Sequence, residues 1–205
     1  MLFLTLFYVA IIVEAMTAAL SAGRRRMDWV GVCLLACATA LGGGSTRDVL
    51  LGHYPLPWVA HPHYLIVVVA AAIATIILAR FLDRLKTLFL LLDALGLVVF
   101  SIIGCNVALE MGQPVLIVIV AGMITGCTGG VIRDILCNEV PLLFRGELYA
   151  SVSIVAGVIY VGGLQLGLMH EIVVLVTIAI GFTLRALAIL RKWQMPSFVY
   201  NKDWH

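Results

Sequence analysis

Charge is what this chain has least of. Only 12% of its 205 residues are Asp, Glu, Lys or Arg, against 63% that are hydrophobic. Soluble domains are about a quarter charged and about half apolar. The shortage excludes an ordinary soluble fold, because so much apolar surface has no interior to enter, and it makes the bilayer the solvent. The five cysteines, Cys33, Cys37, Cys105, Cys127 and Cys137, form neither a CxxC motif nor a disulfide framework. Cys33 and Cys37 are one helical turn apart, but no His or carboxylate joins them nearby, so packing is expected there rather than metal binding. There is no basic segment before the first apolar run and no clear cleavage site, so that run reads as a retained span and not a signal peptide. A phosphate-binding loop, an HExxH motif and a nucleophile motif are also missing. Enzyme chemistry, a cofactor and a nucleic-acid partner are therefore not expected.

What is there is hydrophobic sequence in blocks of membrane-spanning length. A helix needs roughly 20 apolar residues to cross a bilayer. Seven such segments fill almost the whole chain, at about 2–22, 29–50, 63–82, 88–109, 114–137, 148–168 and 171–190. The basic residues give the direction. Arg24, Arg25 and Arg26 follow the first span; Arg80, Arg84 and Lys86 separate the third and fourth; Arg145 separates the fifth and sixth; Arg191, Lys192 and Lys202 follow the seventh. With seven spans all ten lie on one side, which the positive-inside rule makes cytoplasmic. The expected topology has the N-terminus outside and the C-terminus inside.

Two of the apolar spans carry an unusual motif. GGGSTRD (Gly42 to Asp48) and TGGVIRD (Thr128 to Asp134) lie 86 residues apart and align without gaps. Thr39 matches Thr125, Gly43 and Gly44 match Gly129 and Gly130, and Arg47-Asp48 matches Arg133-Asp134; Pro55-Leu56 matches Pro141-Leu142. A repeat of three spans enters the membrane from the opposite side the second time. The fold class expected is thus an all-α integral membrane protein of seven transmembrane helices. Residues 1–86 and 87–168 form two inverted three-helix repeats, and residues 169–205 add one further helix and a cytoplasmic tail. Inverted repeats belong to transport proteins, whose sites lie on broken helices where the repeats meet.

Glycine adds backbone freedom and removes the side chain, so the motifs are expected to break their helices in mid-membrane. Freed carbonyls suit a cation and freed amides an anion. Thr39, Ser45, Thr46, Thr125 and Thr128 could add hydroxyl ligands beside Gly42, Gly43, Gly44, Gly129 and Gly130. The structural alternative is close helix packing through small residues. Arg47, Asp48, Arg133 and Asp134 are candidates for a gate or a charged pore wall. Neighbouring residues on a helix point about 100° apart, so pairing across the repeats, Arg47 with Asp134 and Arg133 with Asp48, is geometrically attractive; each pair could instead only staple the structure. Glu14 is a candidate pore residue without a symmetry partner, because Phe100 stands at its matching position. Asp93 is expected to complement a helix dipole, Asn106 to bond between helices and Arg185 to snorkel. His53, His61 and His63, with Tyr54 and Trp58, read as an outer interfacial belt. The first motif, with its extra glycine and two hydroxyls, is the expected place for ion contacts.

GGGSTRDVLLGHYPLPWV, the paired GGVIRD and LDALGLVVFSIIG (Leu92 to Gly104) resemble a bacterial family first known as uncharacterised membrane proteins. It is linked to the prokaryotic trimeric intracellular cation channels, and its domain is also labelled a glycine transporter. EAMTAALSAGRRRMDW (Glu14 to Trp29) is similar to an enterobacterial-type branch of it. The resemblance covers nearly the full length. It implies a homotrimer in the bacterial inner membrane with a pore in each subunit, permeated by potassium and less selectively by sodium. It places helix kinks at Gly42, Gly43 and Gly44 and at Gly129 and Gly130, with Thr128 departing from the pattern. The transporter label implies the alternative of uptake of glycine or another small amino acid.

Overall fold

The computed structural model of the chain describes residues 1–81, 85–145 and 148–196, with the Arg80 side chain excepted. Arg84 and Lys202, two of the residues used to orient the chain, lie outside the described residues. Among the described residues eight α-helices follow in order: α1 (Leu2–Arg24), α2 (Trp29–Leu51), α3 (Pro57–Ala60), α4 (His63–Leu78), α5 (Leu85–Glu110), α6 (Val115–Leu136), α7 (Ala150–Gln165) and α8 (His170–Arg191). The boundaries follow local chemistry. Asp28 caps α2 by accepting the Gly31 amide at 2.8 Å, and Gly52, at φ 71°, closes the same helix in the left-handed conformation. Gly112 and Gly167 end α5 and α7 in the same way.

Each expected span overlaps one helix, but among the described residues only five of those seven helices have spanning length. α1, α2, α5, α6 and α8 are long and apolar enough to cross a membrane. α4 and α7 have 16 residues each, which at about 1.5 Å per residue falls short of a hydrocarbon core of about 30 Å. α4 is extended by a 3-10 turn over Ala79–Phe81. The one-turn α3, with Pro57 at its start, was not expected.

The packing falls into two groups of three. α1, α2 and α4 contact one another, as do α5, α6 and α7, and α8 packs on α5 and α7. α5 against α6 and α2 against α6 are the largest contacts between helices, and α1 against α5 also joins the groups. One apolar core gathers Ile11, Ala15, Leu35, Val68 and Val99; the other gathers Leu97, Ile102, Val118, Val152 and Val174. Large side chains such as Leu34, Ile66 and Leu116 point outward, the arrangement a lipid solvent favours.

The expected break at the glycines is absent. α2 and α6 are continuous helices through both motifs, and no motif glycine has positive φ. The glycines serve close approach instead. A Cβ on Gly43 would strike the carbonyl oxygen of Thr125, and a Cβ on Gly129 would strike the carbonyl oxygen of Thr39. These two contacts exchange under the 86-residue offset, so α2 and α6 cross backbone to backbone at matched positions. Because the hydrogen-bond ladder stays intact, the backbone groups that a break would have freed remain inside the helix.

Candidate functional site

The hydroxyls of the two motifs are bonded locally. Thr39, Ser45, Thr46 and Thr125 each donate to the carbonyl four residues earlier, at 2.6–2.8 Å. Ser45 also accepts from the Trp58 indole at 3.1 Å. Thr128 is half-buried.

The arginines do not pair across the repeats. Arg47 donates from Nε and Nη2 to Oδ1 of its neighbour Asp48, at 2.9 and 2.8 Å, and His53 Nδ1 lies 3.0 Å from the same oxygen. Arg133 donates from Nε to Asp134 at 2.9 Å and from Nη1 to Asp93 at 2.7 Å. The guanidinium folds back along its own helix to reach the next residue. Gly43 meets Thr125 and Gly129 meets Thr39, so α2 and α6 run antiparallel and the two Arg-Asp pairs lie on opposite sides of the crossing, out of each other's reach.

Around Arg133 the charges concentrate. Its Nη1 also donates to Thr17 Oγ1 at 3.1 Å and lies 3.9 Å from Glu14 Oε2. Its guanidinium carbon sits 4.6 Å from the Phe89 ring centroid. Asp134 Oδ2 accepts the Leu142 amide at 3.0 Å, and the Tyr149 hydroxyl donates to Asp93 Oδ1 at 3.4 Å. Glu14, Asp93, Arg133 and Asp134 are all buried. The site therefore joins α1, α5 and α6 and holds three carboxylates against one guanidinium. Arg133 Nη2 and Asp93 Oδ2 have no hydrogen-bond partner among the described residues.

The corresponding place in the other half is apolar. Asp93 and Glu14 match Phe7 and Phe100 under the 86-residue offset, and those two rings meet edge to face, 6.5 Å between centroids. The first motif was expected to hold the ion contacts, but the acids gather at the second. Asp93 is the residue most underrated by sequence: it is a direct partner of Arg133, not a helix-dipole complement. Arg185 does not snorkel. It is buried, 5.0 Å over the Tyr149 ring, with Nη1 3.4 Å from the Leu148 carbonyl. Asn106 does bond between helices, accepting from Tyr160 at 2.9 Å. His61 and His63 meet Tyr64 edge to face, and His63 bonds Tyr8 at 3.0 Å.

A cavity of about 310 Å³ opens beside Asp134, lined by Arg24, Lys86, Phe89, Glu139, Arg145 and Lys192 among others. It gives the buried cluster a basic approach from the end of the bundle where α1 and α6 finish.

The glycine transporter family model matches residues 4–80 and 90–165, two segments whose starts are separated by the same 86 residues as the motifs. A UPF0126 membrane protein of Vibrio cholerae is 38% identical over 93% of this chain and 80% of its own length. The UPF0126 inner membrane protein YadS of Escherichia coli is 36% identical, with 93% of each chain covered. Among solved structures, the TRIC trimeric intracellular cation channel orthologue from Rhodobacter sphaeroides superposes with a TM-score of 0.90, at 31% identity, over 94% of this chain and 99% of the other. The chain belongs to the glycine transporter (UPF0126) family of membrane proteins and has the fold of the prokaryotic TRIC channels.

Proposed function

We propose that the chain is a monovalent cation channel, conducting potassium and less selectively sodium, with a pathway inside each subunit of a homotrimer. The observation that carries this reading is the buried cluster around Arg133, where three carboxylates face one guanidinium. An acid-rich cluster in a low-dielectric enclosure attracts cations and repels anions. The similarity to a protein described as a trimeric intracellular cation channel supports both the ion class and the assembly. In this reading seven helices span a bacterial inner membrane with the N-terminus outside, and residues 1–86 and 87–168 are inverted halves. The pathway passes the crossing of α2 and α6. There the oxygens of Thr39, Ser45, Thr46, Thr125 and Thr128 supply ligands beside Gly42, Gly43, Gly44, Gly129 and Gly130. Glu14 and the Arg47-Asp48 and Arg133-Asp134 pairs set the charge of its walls.

Potassium flux into liposomes containing the purified protein tests the reading. A cation-selective flux that falls at least several-fold in Asp93→Asn is expected. Tight, correctly assembled proteoliposomes without potassium flux sink it.

A second reading, a carrier for glycine or another small amino acid, is favoured by one observation. Arg133 Nη2 and Asp93 Oδ2, of opposite charge and in one cluster, are both buried without a partner among the described residues. They complement the carboxylate and ammonium of a zwitterion. Saturable uptake of labelled glycine, driven by a proton or sodium gradient, would favour this reading over the channel.

A further inference from the structure

Phe89 of α5 touches two guanidiniums. Its ring centroid lies 4.6 Å from the guanidinium carbon of Arg133 and 4.9 Å from that of Arg24. Arg133 belongs to the buried cluster, whereas Arg24 lines the cavity of about 310 Å³. The ring thus sits on the boundary between cavity and cluster. Of the four cluster residues Asp134 alone lines that cavity. Glu14, Asp93 and Arg133 are no more than 2% exposed. Asp93 follows Phe89 by four residues, on the same face of α5. An ion or solute in the cavity therefore reaches Asp134 directly and meets the Phe89 ring before Arg133 and Asp93.

The ring also has room to leave. A second cavity, of about 480 Å³, lies among Ala19, Leu20, Val32 and Ile76, and it shares Arg24, Lys86 and Phe89 with the first. Those four side chains come from α1, α2 and α4, so rotation of Phe89 about its own side-chain bonds moves the ring from one apolar setting to another. Cation–π contacts with two arginines are modest attractions. They hold the ring in place without locking it.

We propose that Phe89 is a gate, a movable ring that separates the charged cavity from the buried acids and opens by turning into the apolar cavity beside α1, α2 and α4. In place, it presents hydrocarbon to a hydrated ion, and hydrophobic constrictions close a pathway by excluding water. Turned aside, it leaves Arg133 and Asp93 facing the cavity. The gate rests on the channel reading for the ion that passes, but access to the cluster is measurable without flux.

Thiol labelling of the purified full-length protein in detergent tests it. Thr17, fully buried beside Arg133, is replaced by cysteine, and a cationic methanethiosulfonate is added from water. Labelling of Thr17→Cys beyond that of the native cysteines should be slow with Phe89 in place and at least several-fold faster with Phe89→Ala. Phe89→Leu should fall between, and it keeps the test open if Phe89→Ala does not fold. In proteoliposomes the same variants should raise potassium flux in the same order. Unchanged Thr17→Cys labelling in both variants would overturn the gate. So would an equal rise at the native cysteines, the mark of general loosening, or faster labelling beside a potassium flux that stays at the wild-type level. Faster labelling with no flux in wild type or variants would sink the channel reading and still support Phe89 as the partition.

Discussion

Gly43 receives the main-chain carbonyl of Thr125 in the space a side chain would have filled. Gly129 receives the carbonyl of Thr39 in the same way. The two contacts make the crossing of α2 and α6 a backbone-to-backbone joint, and they explain why the motifs carry glycine although neither helix unwinds. Lipid offers no hydrophobic drive for helices to associate, so close approach through small residues supplies the dispersion that holds such a joint. One turn further along each helix stands an arginine, carried into the interior by the same approach.

Within the first motif the glycines should differ sharply. A methyl on Gly43 meets backbone, which cannot yield, so Gly43→Ala should destabilise by about 1–3 kcal/mol. Gly44 has nothing nearer than Arg47 Nη2 at 3.9 Å, so Gly44→Ala should be neutral or gain up to about 1 kcal/mol of helix propensity. At Gly42 the obstacle is the end of the Ile132 side chain at 2.7 Å, which can turn away, so Gly42→Ala should fall between. Thermal unfolding of the three variants in one detergent gives the order directly.

The two arginines should also be unequal. Arg133→Gln leaves Asp93 and Asp134 buried without their cation, a loss of roughly 3–5 kcal/mol. Arg47→Gln leaves only Asp48, with His53 Nδ1 still 3.0 Å away, and should cost less. Adding Asp93→Asn to Arg133→Gln should recover part of the loss, because one of the stranded charges is gone. A double-mutant cycle on thermal stability checks the sign of that recovery.

Much of this arrangement was legible in the sequence, and the reasons for the exceptions are physical. Hydropathy placed every long helix, since a bilayer imposes length and composition together. The 86-residue offset found both motifs and the pairing of Gly43 with Gly129. It could not decide between a broken helix and a packed one, because glycine serves both and only the facing backbone distinguishes them. It also missed Asp93 as a partner of Arg133. Forty residues separate the two, and an acid near a helix start already has a sufficient local explanation. The clearest available signal was a mismatch in the repeat: Asp93 and Glu14 both align with phenylalanines, which marks one half as acidic and the other as apolar.

Tyr160 ties α7 to its neighbours. Its buried hydroxyl donates to Asn106 at 2.9 Å and lies 2.7 Å from His170 Nε2. Tyr160→Phe removes both bonds and should cost about 1–3 kcal/mol. Tyr8→Phe removes one bond to His63 in an exposed position and should cost under about 1 kcal/mol. A smaller loss at Tyr160 than at Tyr8 in thermal unfolding would contradict the assignment.

Acid sensitivity outside the spans should trace to Glu139. Burial raises its pKa, but the hydrogen bond from Arg145 and the charges of Arg24, Arg145 and Arg25 outweigh that and hold it below the ordinary 4.5. Arg145 approaches at 2.9 Å and Arg25 at 3.2 Å, joining the loop after α1 to the loop after α6. A carboxylate whose pKa is depressed by folding contributes stability above its unfolded pKa, and that contribution disappears as pH falls through the folded value. The wild type should therefore lose stability below about pH 4.5 relative to Glu139→Gln, whose curve should be flatter there. The difference at neutral pH should stay under about 1 kcal/mol, because water screens the pair. Unfolding midpoints of both proteins across the acid range give the comparison. Parallel curves would show that Glu139 is not the group that titrates.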